Sequence, residues 1–165
     1  MIPDDEIAKL MQFIHHLNET PAEPTDVAAK RFAAHREAMS FDFISFADRP
    51  RSELDAALKQ HAKKVEAENA RNPLRNLDFS KEARRIRKQN FPENLQLCIA
   101  MFERYQRTGE RPAPAYPTRV EVLLRKAKRR DLFEQFNAAW DRHFGYDTPP
   151  PPTTTNPPLY GSVRK

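Results

Sequence analysis

The chain has 165 residues, with 28 lysines and arginines against 23 aspartates and glutamates, and only three glycines beside fifteen prolines. Phosphate-cradling loops, dinucleotide turns and nucleophile elbows need backbone at positive φ or in close contact with a ligand, and Gly109, Gly145 and Gly161 lie too far apart to build one. A hydrophobic fraction of 39%, a charged fraction of 31% and a mean hydropathy of −0.82 fit exposed helices, or a subunit that completes its packing on partners.

Pro3 followed by Asp4, Asp5 and Glu6 reads as a helix start, with proline tolerated at the first position and carboxylates on the positive end of the dipole. Ile7, Leu10, Met11, Ile14 and Leu17 then recur at three- and four-residue spacing as an apolar stripe. Pro21 and Pro24 break it. Thr25 is the expected cap of a second helix to about Met39, with Val27, Phe32 and Met39 roughly on one side. Phe41 to Phe46 alternates like a half-buried strand, but no second convincing strand exists to pair with it. The segment is expected to be an irregular or short helical connector pinned by its aromatics.

Ser52 is the expected cap of a third helix to about Arg71, with Leu54, Leu58, His61 and Val65 as its stripe. Asn72 to Phe79 reads as a loop. Ser80 then caps a short basic helix whose one large apolar residue is Ile86, too polar to be held by its own burial.

The last third is better organised. Phe91-Pro92-Glu93 opens a helix carrying Leu95, Leu97, Cys98, Met101, Phe102 and Tyr105, and Gly109 closes it at a left-handed position. After the connector Arg111-Pro112-Ala113-Pro114, Pro117 and Thr118 start a helix with Val120, Leu123, Leu124 and Ala127. A further helix, after Arg129-Arg130-Asp131, carries Leu132, Phe133, Phe136, Trp140 and Phe144 and is stopped by Gly145. Residues 147–165 hold six prolines and, as large apolar groups, Leu159 and Tyr160. That composition predicts an extended or polyproline arm, ordered only by a partner.

The fold class expected is therefore all-α: antiparallel helical hairpins with an extended proline-rich arm. Three regions follow, an N-terminal helical region 1–90, a hairpin region 91–146 and a tail 147–165. The run from Leu97 to Trp140 resembles a helical-hairpin repeat of the pentatricopeptide (PPR) or tetratricopeptide kind. The repeat length of about 35 residues fits, and Gly109 and Pro112 fall where a helix pair must turn. The same stretch is similar to the matrix-side helical-repeat subunit family (Va, or VI in fungi) of mitochondrial cytochrome c oxidase. The residues that carry this are Pro112-Ala113-Pro114, the helix Val120 to Lys128, and Arg129-Arg130-Asp131-Leu132.

The resemblance implies a non-catalytic accessory subunit of a large mitochondrial assembly, a respiratory-chain complex or ATP synthase, on the matrix side of the inner membrane. The alternative it leaves open is an RNA-associated PPR-type protein or a mitochondrial ribosome component. The acidic start predicts neither a secretory signal nor an Arg-rich transit peptide at this end. No apolar run approaches the roughly 20 residues that span a bilayer.

No chemistry-bearing constellation emerges. His15, His16, His35, His61 and His143 include no i,i+4 pair, and adjacent His15 and His16 point about 100° apart on a helix. Cys98, the single cysteine, falls on an apolar helical face and reads as a buried structural thiol. Asp4, Asp5 and Glu6 are explained as a helix N-terminus, and Ser40, Ser45 and Ser52 have no base beside them. Catalytic, cofactor and metal residues are therefore expected to be none.

Two sets remain as candidates for binding. Met101, Phe102, Tyr105, Phe133, Phe136, Trp140, Leu159 and Tyr160 are the expected partner-binding aromatics and aliphatics. Residues 1–68 carry 9 basic against 13 acidic residues and residues 69–165 carry 19 against 10, so the second half is basic. Within it Arg84, Arg85, Arg87 and Lys88, and Arg129 and Arg130 beside Arg125, Lys126 and Lys128, are expected to meet phosphates or an acidic partner surface.

Overall fold

In the computed structural model, which describes residues 1–145, three carboxylates fill the first turn of α1 (Asp4–Glu19), and Glu6 is buried with Lys9 bonded to it at 2.6 Å. Leu10, Phe13, Ile14 and Leu17 form the buried stripe of α1. Met11, expected in that stripe, lies outside it, and Phe13 takes its place. Met11 is 54% exposed. Helical spacing admits either residue, and the choice falls to the neighbours, because α1 packs between two later helices and turns the Phe13 side toward both.

Pro24 leads into α2 (Thr25–Ala38) and Pro50 into α3 (Arg51–Ala70), and neither helix has a side-chain cap. The expected caps Thr25 and Ser52 are thus helical residues. Proline stands at the cap position instead: its ring fixes φ at −57 and −56, and ψ of 139 and 142 keeps that residue outside the helix that begins after it. Ala28 is the buried residue of α2, while Val27 faces solvent. Between α2 and α3 the expected connector is a 3-10 turn, Ile44–Phe46.

Ser80 caps α4 (Lys81–Arg87) through the Ala83 N–H at 3.2 Å. Asn90 caps α5 (Phe91–Thr108) through the Glu93 N–H at 3.1 Å, and Gly109 ends it at φ 77. The helix α6 (Ala115–Lys126) starts two residues before the expected Pro117. A tight turn through Lys128, itself at φ 59, leads into α7 (Arg130–Phe144).

The described residues therefore hold seven α-helices and no strand. The helix α6 packs on α5 and α7, α1 on α7 and α5, and α2 and α4 on α5. One cluster of buried side chains draws from both sides of residue 90: Leu10, Phe13, Ile14 and Leu17 meet Leu95, Phe102, Leu124, Phe136 and Trp140. Phe13 is its hub, with ring centroids 6.1 Å from Phe102, 6.4 Å from Phe136 and 6.3 Å from Trp140. The Phe102 and Trp140 pairs are edge-to-face and the Phe136 pair is tilted; aromatic pairs of this kind add about 0.5–1.5 kcal/mol each beyond burial. The expected arm 147–165 lies outside the described residues.

Candidate interaction surfaces

The aromatic set singled out from the sequence is brought together, but inward. Phe102 and Phe136 are fully buried, and Met101, Tyr105 and Trp140 nearly so. These side chains are occupied by the chain's own core, so they act on a partner only through folding. Phe133 is half-buried, with the Arg125 guanidinium 4.3 Å from its ring centroid. Leu159 and Tyr160 lie outside the described residues. Cys98 is fully buried among these groups, and burial pushes its thiol well above the ordinary range.

The basic residues divide. Arg129 is paired with Asp131 at 3.1 and 3.0 Å, Arg130 with Glu134 at 2.7 Å, and Arg85 with Glu82 at 2.6 Å. Arg87, expected on a phosphate-facing surface, is instead buried. Its Nη2 donates to the Asp78 carbonyl at 2.6 Å, its Nε donates to Glu93 at 3.2 Å, and its guanidinium lies 5.7 Å from the Phe79 ring centroid. Asn94, also buried, donates to the Arg87 and Asn90 carbonyls. A helix of seven residues with Ile86 exposed is anchored by an arginine rather than by an apolar stripe.

Arg84 and the cap residue Lys88, spaced i and i+4 around the Arg87 anchor at i+3, lie on the same side of α4 and its C-terminal cap. They line a cavity of about 250 Å³ with Phe79, Asn94, Ala115, Tyr116 and Arg119. The sequence reading missed Phe79, Tyr116 and Arg119. Tyr116 and Arg119 are placed by the α5–α6 connector, which brings the start of α6 back to α4, and Phe79 by its position just ahead of α4, against Arg87. The basic i, i+3, i+4 spacing was the one signal available.

A different surface lies at the other end. No side chain of α3 is buried along its 20 residues, so the expected stripe of Leu54, Leu58, His61 and Val65 is only half-covered. Polar ties hold the helix. Glu68 accepts from Arg107 at 2.9 and 3.0 Å and from Arg104 at 3.2 Å, and lies 3.7 Å from His35. Lys64 donates to the Ala38 carbonyl at 2.7 Å. Burial pushes the Glu68 carboxyl up, but Arg107, His35 and Arg104 more than offset this and hold it below the usual carboxylate range.

In the connector ahead of α3, Phe41 stacks on Phe46 at 5.5 Å and meets Phe43 edge-on at 4.7 Å. Phe43 remains 61% exposed and Ile44 87%. A further apolar cavity of about 420 Å³ opens between α2 and the ends of α5 and α7, with Ala28, Phe32, Tyr105 and Phe144 in its wall.

No helix among the described residues is long and apolar enough to cross a membrane. Compared with protein families, curated proteins and solved structures, the chain matches none.

Proposed function

We propose that the chain is a non-catalytic accessory subunit of a large assembly, positioned by surfaces that it does not complete alone. The observation that carries this reading is α3, a 20-residue helix with no buried side chain, reached through a connector that exposes Phe43 and Ile44. Helical stability in proteins comes mostly from packing of an apolar face. Here that packing is supplied from outside, and the Phe43–Ile44 corner and the half-covered Leu54, Leu58 and Val65 are where a neighbouring subunit sits. The mitochondrial setting, a respiratory-chain complex or ATP synthase on the matrix side, rests on the resemblance of residues 97–140 to the oxidase subunit family.

A second reading, an RNA-associated or mitochondrial ribosomal protein, is favoured by the cavity at α4, which has Arg84, Arg87, Lys88 and Arg119 in its wall and no carboxylate.

The test is to purify the native chain under mild conditions, with and without nuclease, and identify what accompanies it. Stoichiometric protein subunits that survive nuclease are expected. A chain that runs alone, or whose companions all vanish with nuclease, contradicts the subunit reading.

A further inference from the structure

We propose that the corner between α4 and the start of α6 binds one nucleotide of a single-stranded polynucleotide, its base on Phe79 and its flanking phosphates on Arg84, Lys88 and Arg119. The inference deepens the second reading above, that of an RNA-associated protein, and rests on it.

The residue types divide the work. Phe79 is 52% exposed although it adjoins the core helices. The Arg87 guanidinium lies 5.7 Å from its ring centroid, lines the same cavity and is itself fixed by the Asp78 carbonyl and Glu93. An aromatic ring held in this way and open to solvent is a platform on which any base can stack. Tyr116 supplies a second ring in the same wall.

Arg84, Lys88 and Arg119 make no ion pair among the described residues, in contrast to Arg85, Arg129 and Arg130, which are each matched by a carboxylate. No acidic side chain lines the cavity, and about 250 Å³ admits a base-sized group but not a folded partner. An acidic peptide would satisfy the cations equally well, but it offers Phe79 a flat face only where it carries an aromatic residue, whereas every nucleotide carries one. The pairing of an open ring with unmatched cations therefore selects a polynucleotide.

The experiment is fluorescence anisotropy of the full chain with 5′-labelled rU12 and dT12 across a salt series, with an oligo-glutamate of equal charge as competitor. Phe79→Leu should weaken binding about tenfold and Phe79→Tyr should retain it, because stacking needs a ring and not merely apolar bulk. The triple change of Arg84, Lys88 and Arg119 to Gln should lower the slope of log K against log salt by about two. Lys30→Gln, exposed on α2 and outside the corner, should leave binding unchanged, and circular dichroism of each variant confirms that the helices persist. Equal loss in Phe79→Leu and Phe79→Tyr overturns the proposal. So does displacement by oligo-glutamate at equal charge concentration, or binding of neither oligonucleotide at low salt.

Discussion

A side chain on Gly109 would place its Cβ 2.2 Å from the carbonyl oxygen of Ala28. Two helices distant in sequence are thus joined by backbone contact: α2 lies against the C-terminal end of α5, and Phe32 N is also within 2.8 Å of that Cβ position. Gly109 is required twice, once for its φ of 77 and once for this approach. Gly109→Ala should destabilise the chain by about 2 kcal/mol or more, with α2 detaching first. Chemical denaturation read by circular dichroism checks this.

Phe136→Ala should cost about 3–5 kcal/mol, as should Trp140→Ala, because both rings pack on Phe13 in the core. Neutralising Arg129 and Arg130 should cost about 0–1 kcal/mol, since both form exposed ion pairs. Urea midpoints rank the two classes. If Trp140→Ala keeps its midpoint and loses only its partners, the ring is a contact surface after all.

The helices of the C-terminal half were legible because their signals agree. Gly109 stops a helix, Pro112 and Pro114 prevent its restart, and Leu132, Phe136 and Trp140 keep one period. Over α1 the period was legible but its centre was not, since Met11 and Phe13 both fit and only the position of α7 decides. The stripe of α3 was read correctly as a pattern, yet a pattern does not state that a partner face exists within the same chain. The corner at α4 was half legible. Arg84 and Lys88 announced a basic face, but a buried arginine looks like any other in a charged run. Phe79 and Tyr116 are 37 residues apart, joined only by the folding back of α6.

Cys98 should resist thiol reagents at pH 8 in the native chain, both because it is fully buried and because burial raises its thiol. Labelling with a disulfide reagent should follow global unfolding and accelerate with urea in step with loss of helicity. Rapid labelling of native protein would show that α5 opens locally.

Glu68 links α3 to the rest of the chain, and its sign with pH is fixed by its lowered carboxyl. The stabilisation is fully present above the ordinary carboxylate value, 4.5, and is lost as pH falls through the lower folded value. Amide exchange over residues 51–70, corrected for intrinsic rate, should therefore increase as pH falls below about 4. Glu68→Gln should show the increased exchange already at pH 7 and no further acid step from this site. The core helices α5 and α7 should be nearly unaffected.

Completion of α3 from outside is the central requirement of a subunit role. Hydrogen–deuterium exchange of residues Arg51–Ala70, measured in the isolated full chain and again in its native assembly, addresses this directly. In the isolated chain these amides should exchange far faster than those of α5 and α7, because no side chain of α3 is buried. In the assembly they should become as protected as the core, together with the connector at Phe43 and Ile44. Equal protection of α3 in the free and assembled chain would contradict the account.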